Sequence, residues 1–148
     1  MYTVRNLLQV KGDSGVWAVS PETSTIDALR FMAEKNVGAL LVLEDGLLVG
    51  IISERDFVRR IARNRACDLN ATVQEYMTSK VITVTLDTTI DECMKIMTDK
   101  RIRHLPVYDS EKLHGLISIG DVVKGIIDEQ SMTIDNLEKY ITGGGYGH

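Results

Sequence analysis

A chain of 148 residues, 44% hydrophobic and 26% charged, has the length and composition of an ordinary globular domain that can bury a real core. Its net charge of −4, with no long run of Lys or Arg, gives no electrostatic basis for sequence-independent nucleic-acid binding. The longest apolar stretch, Gly38 to Leu43, is far short of the roughly 20 residues a membrane-spanning helix needs, and no cationic-then-apolar leader opens the chain, so no membrane association and a cytoplasmic location are expected.

In chain order, Met1 to Asp13 reads as a flank, and the first β-rich run is Val16 to Val19. Ser and Thr cap candidates then precede a helical stretch, Ile26 to Ala33, with apolar residues three and four apart. The runs Ala39 to Leu43 and Leu48 to Ile52, separated by Asp45-Gly46, predict a hairpin. A second helix should start at Ser53 and carry Phe57, Val58 and Ile61 on one face. Asn64 to Ser79 connects, with a short helix expected within Thr72 to Met77. The order then recurs. A strand at Val81 to Thr85 leads to a helix at Asp91 to Met97, a hairpin of Leu105 to Tyr108 and Leu113 to Ile117, and a helix from Ser118 with Val122, Val123 and Ile126. Beyond Ser131, a helical Ile134 to Ile141 precedes Gly143-Gly144-Gly145, which lacks the strand-before, helix-after setting of a phosphate loop and reads as a flexible end.

The recurrence holds one register. Val19 meets Val84, Met32 meets Met97, Leu40 meets Leu105, Gly50 meets Gly115, Ser53 meets Ser118 and Asp56 meets Asp121, always 65 residues on. Self-similarity at one period marks a structural unit used twice. Each β-α-β-β-α unit, of about 45 to 50 residues, is near the lower limit for an independent core. The expected fold is therefore α/β of the α+β kind, two pseudo-symmetric units packed through their sheets. The expected division is an N-terminal flank 1–15, repeats 16–63 and 81–128 around a linker 64–80, and a C-terminal helix with tail, 129–148.

The pattern Ser-x-x-Asp, Ser53 with Asp56 and Ser118 with Asp121, follows an apolar strand and opens a helix in both repeats. Two readings stand on the residues alone. One is a helix cap with an acid at the third position. The other is a carboxylate placed to accept ribose hydroxyls beside backbone N–H groups that attract phosphate. The two cysteines, Cys67 and Cys93, form no CxxC motif, and Cys93 reads as a buried thiol. No nucleophile, base and orienting group share a motif, so no catalytic residues, no metal site and no enzyme are expected.

The motifs Val19-Ser20-Pro21-Glu22-Thr23, Gly38-Ala39-Leu40-Leu41-Val42 and Gly50-Ile51-Ile52-Ser53-Glu54-Arg55-Asp56, with their counterparts through Gly115 to Asp121, resemble the CBS motif, named after cystathionine β-synthase. A tandem of two is similar to a Bateman module. Arg101 to Val107, Ser118 to Val123 and Tyr140 to Gly144 are similar to the single-pair proteins of bacteria and plant organelles. The resemblance implies a regulatory module that binds an adenine nucleotide, AMP, ADP, ATP or NAD(H), between the two repeats and modulates a separate, unidentified protein. It implies two sites. The first joins Ser53, Arg55 and Asp56 to Thr83, Arg103, His104 and Pro106, and the second joins Ser118 and Asp121 to Trp17, Ala18, Gly38, Ala39 and Leu40. Thr83 could meet an adenine edge, which the matching Ala18 cannot, and Arg55, Arg103 and His104 could meet phosphate. Repeat one departs from the pattern at Ala18, and at Leu41 where repeat two has Pro106.

Removing Asp56 should then cost affinity while leaving stability unchanged. The alternative function is a redox-linked interaction protein with a thioredoxin-type partner, implied by the similar plant organellar proteins. A homodimer is expected as well, because the faces with Ile26, Leu29 and Met32, or with Cys93, Met94 and Met97, read as too apolar to be solvated.

Overall fold

The structure, a computed structural model, describes residues 1–11 and 16–141. The Gly143 to Gly145 stretch lies outside the described residues. The chain opens with α1 (Val4–Lys11), continues as β1 (Ala18–Val19), α2 (Thr25–Lys35), β2 (Ala39–Glu44), β3 (Leu47–Ser53), α3 (Glu54–Asn64) and α4 (Val73–Tyr76), then β4 (Val84–Thr85), α5 (Ile90–Lys100), β5 (His104–Asp109), β6 (Lys112–Ser118) and α6 (Ile119–Lys139). Two three-stranded sheets result, ordered β1-β2-β3 and β4-β5-β6. Residues 16–83 form one unit, and residues 1–11 join 84–141 in the other.

The repeat extends to backbone detail. β1 runs parallel to β2 with Val19 opposite Val42, and β4 runs parallel to β5 with Val84 opposite Val107. Both hairpins are antiparallel and slip register at the same place, after Val42 and after Val107. Left-handed backbone recurs at Asn36 and Arg101, which close α2 and α5, and at Asp45 and Ser110 in the turns. In the Asp45-Gly46 turn both central residues take positive φ, 52° and 79°, the twist that lets a two-residue turn match its flanking strands. The expected strands at Val16 to Val19 and Val81 to Thr85 are shorter than predicted, because only two residues of each find ladder partners.

Core positions correspond as well. Ala28, Met32, Leu40, Val42, Ile52 and Phe57 form the first core. Their counterparts Cys93, Met97, Leu105, Val107, Ile117 and Val122 are equally buried in the second unit. This corrects the reason given for a homodimer: Met32, Cys93 and Met97 are at most 3% exposed within the chain itself. Ile26, Leu29 and Met94 of those faces are partly buried, and the more exposed apolar side chains include Val58 on α3 and Ile119, Val123 and Ile127 along α6.

Two segments that read as flank and linker are integral to the units. Val4 N–H donates to Thr88 O, Arg5 N–H to Leu86 O, and Ile90 N–H to Tyr2 O. In the other unit Val73 N–H donates to Thr23 O, Gln74 N–H to Pro21 O, and Thr25 N–H to Ala71 O. The isolated bridges Thr3 to Thr89 and Ser24 to Thr72 complete the match. Each repeat is thus closed by the helix that precedes the other repeat in sequence. The helix expected at Ile134 to Ile141 is no separate element, since α6 runs unbroken from Ile119 to Lys139.

Candidate functional site

β3 gives way to α3 at Ser53, whose extended backbone (φ −127°, ψ 165°) ends the strand and caps the helix. Asp56 Oδ2 accepts Ser53 N–H at 2.8 Å and the Ser53 hydroxyl at 3.0 Å, while Asp56 N–H returns to Ser53 Oγ at 3.4 Å. Ser118 and Asp121 repeat the arrangement, with Ser118 N–H on Asp121 Oδ2 at 2.8 Å and Asp121 N–H on Ser118 Oγ at 3.2 Å. The capping reading is therefore realised in both repeats. It uses one carboxylate oxygen, Oδ2, and Oδ1 of each Asp accepts nothing among the described residues, so capping and ligand binding do not compete for the same atom. The first amide of each helix is also engaged: Glu54 N–H donates to Gly38 O and Ile119 N–H to Arg103 O. Two of the first three N–H groups are thereby spent, which weakens the expected pull on phosphate.

The other predicted residues divide between the units. Trp17, Ala18, Gly38, Ala39, Leu40 and Thr83 share a unit with Ser53, Arg55 and Asp56, whereas Arg103, His104 and Pro106 share one with Ser118 and Asp121. Within them Ala39 lies opposite Ser53 in the ladder and His104 opposite Ser118. Leu40 is fully buried in the first core with Ala28, Met32 and Phe57. Trp17 packs edge-on against Phe31 at 5.9 Å, with Lys35 Nζ 4.5 Å above its ring. Arg55, Thr83 and Arg103 are exposed, Pro106 is buried, and Arg60 stacks over Tyr76 at 5.2 Å.

Sequence reasoning missed Lys11. Its Nζ lies 2.9 Å from Asp121 Oδ2 and 3.0 Å from Leu116 O. Burial by itself would raise the Asp121 carboxyl, but the Ser118 N–H, Lys11 and the Ser118 hydroxyl together hold it below the usual range. A signal did exist. Thr3-Val4 and Thr72-Val73 repeat with a different spacing, 69 residues, and the same spacing pairs Lys11 with Lys80.

Among the described residues no group of three or more His, Cys, Asp and Glu side chains comes together. Cys67 is exposed and Cys93 buried. Burial, aided by the Glu92 carboxylate, pushes the Cys93 thiol up from 9.0 to about 11. A thiol-specific reagent at pH 8 should therefore modify Cys67 rapidly and Cys93 only when the unit opens, as peptide mapping of the alkylated protein would read. Because folding raises the thiol's pKa, this group leaves stability unchanged below its ordinary value and erodes it as pH rises from about 9 to about 11. Equal labelling of both cysteines in the native protein would contradict this.

Residues 13–63 and 73–128 each match the family model of the CBS domain. The mitochondrial CBS domain-containing protein CBSX3 of Arabidopsis thaliana is 38% identical, over 96% of this chain and 73% of its own length. A solved structure of a CBS-domain protein from Burkholderia ambifaria is 43% identical with a TM-score of 0.82, covering 86% of this chain and 96% of that one. CBSX2, solved in complex with AMP, is 26% identical with a TM-score of 0.70, covering 86% of this chain and 98% of that one. No helix among the described residues is long and apolar enough to cross a membrane.

Proposed function

Since this chain belongs to the CBS-domain family, as a tandem pair, we propose that it is a non-enzymatic regulatory module that binds an adenine nucleotide and modulates a separate protein. The observation that carries the reading is the pair of Ser-x-x-Asp helix starts, each held rigid by its own capping box with one carboxylate oxygen uncommitted, in a chain similar to one solved with AMP. A carboxylate oxygen fixed in this way can accept ribose hydroxyls with little reorganisation. The combination of Ser53, Arg55 and Asp56 with Thr83, Arg103, His104 and Pro106 belongs to this proposal and rests on the family resemblance. A thermal-shift screen of AMP, ADP, ATP, NAD, NADH and S-adenosylmethionine tests it: a ligand at a hundred times its Kd adds about 2.7 kcal/mol to native-state stability. At least one should raise the melting temperature, and an unchanged melting temperature with all six overturns the reading.

We further propose a homodimer, supported by Ile119, Val123 and Ile127, spaced four apart on α6 and 37%, 43% and 55% exposed, since such a stripe on one helix face marks an interface. Light scattering at micromolar concentration should give a mass near twice the 16.5 kDa of the chain. A mass near 16.5 kDa would exclude the dimer.

A further inference from the structure

The two Ser-x-x-Asp carboxylates are alike in their caps and unlike in what faces them, and the cause lies in α1 and α4. Both helices dock through the same backbone bonds, but they diverge after the first turn. α4 stops at Tyr76, because Met77 turns extended (φ −66°, ψ 155°) ahead of Thr78, a poorer helix former than the Gln9 that α1 has at the matching place. Thr78 then pairs with the edge strand β3, its N–H on Ile51 O at 2.9 Å and its carbonyl accepting Ile51 N–H at 3.0 Å. α1 stays helical to Lys11, and edge strand β6 receives no such partner among the described residues. Leu116 stands where Ile51 stands in the other sheet, and its carbonyl takes the Lys11 ammonium in place of a backbone N–H. That position puts the same ammonium on Asp121 Oδ2. Lys80, the counterpart of Lys11, is exposed, and neither it nor Asp56 forms an ion pair among the described residues.

We propose that Lys11 is an internal counter-ion of the second Ser-x-x-Asp, a latch that through Oδ2 neutralises the carboxylate whose Oδ1 a ribose diol would use, and so makes the two repeats bind nucleotide unequally, Asp56 first. The inference rests on the adenine-nucleotide reading above. An ammonium on a carboxylate makes a charge-assisted hydrogen bond, roughly twice as strong as one from a neutral hydroxyl. The pair is only 30% and 24% exposed, so salt screens it less than an open surface pair. The lowered Asp121 carboxyl agrees with an occupied site. A latch closed about 90 to 99% of the time would weaken apparent binding by roughly 10- to 100-fold, since affinity scales with the competent fraction.

Calorimetric titration of wild-type, Lys11→Met and Lys11→Arg protein with AMP and with adenosine tests this. Methionine keeps the aliphatic stem and the helix, and adenosine presents the diol without a phosphate. The expected result is one tight event in the wild type and in Lys11→Arg, and in Lys11→Met a second event tightened about tenfold or more for both ligands, abolished again by adding Asp121→Ala. An unchanged isotherm for Lys11→Met overturns the latch while leaving the nucleotide reading intact. So does weaker AMP binding with unchanged adenosine binding, which would make Lys11 a phosphate contact. If no protein binds either ligand, the nucleotide reading fails and takes the latch with it.

Discussion

Deleting residues 1–11 should unfold, or nearly unfold, the unit that contains the second repeat, more than 70 residues further along the chain. Val4 is fully buried and Leu7 is 5% exposed, and burying each contributes about 1.5 to 3 kcal/mol. The deletion also leaves the carbonyls of Leu86 and Thr88 and the N–H of Ile90 without their partners, at about 1 kcal/mol per bond. A further gap opens beside Gly125, which lies so close under Leu7 that a Cβ there would overlap its side chain. The total, about 5 kcal/mol or more, rivals the roughly 5 to 15 kcal/mol that holds a whole domain together. Hydrogen exchange should show protection lost across β4 to α6 and retained in β1 to α3. Val4→Ala should reproduce a fraction of the effect, roughly 1 to 3 kcal/mol, and Val73→Ala a similar loss in the other unit. A truncated protein that melts in urea like the full chain would return residues 1–11 to the status of a flank.

Asp56→Ala should weaken adenine-nucleotide binding by roughly 1 to 3 kcal/mol, or about 5- to 150-fold, the scale of losing hydrogen bonds to a charged acceptor. Asp121→Ala should do less, because Lys11 already engages that carboxylate. The expectation of unchanged stability does not survive the structure. Asp56 Oδ2 holds both the N–H and the hydroxyl of Ser53, so the alanine variant loses a capping box and should also melt earlier, by about 0.5 to 2 kcal/mol. Asp56→Asn separates the two roles. Its amide oxygen can still accept Ser53 N–H, yet it carries no charge for the ribose, so it should keep most of the stability and lose most of the affinity. If both variants bind AMP like the wild type while melting earlier, Asp56 is a cap and nothing more.

The repeated unit and the order of its strands and helices were legible in the residues alone. These depend on local properties, the alternation and three-to-four spacing of apolar residues and the Asp-Gly and Ser-x-x-Asp signals, which a self-comparison at one offset makes visible. Ser53 and Ser118 were also legible as helix starts, because a cap is decided within four residues of its own position. Which segments close each core depended on long-range packing. The pairing of α1 with the second repeat and of α4 with the first links Val4 to Thr88 and Val73 to Thr23, contacts that no local period encodes, and the different spacing there hid the Thr-Val match. The same holds for Leu40, whose place in a strand was legible while the neighbours that bury it were not. The difference between Asp56 and Asp121 was likewise invisible in two identical motifs. It arises where α4 ends after one turn and α1 continues for two, because only the longer helix carries a lysine to the edge of a sheet and onto a carboxylate 110 residues away.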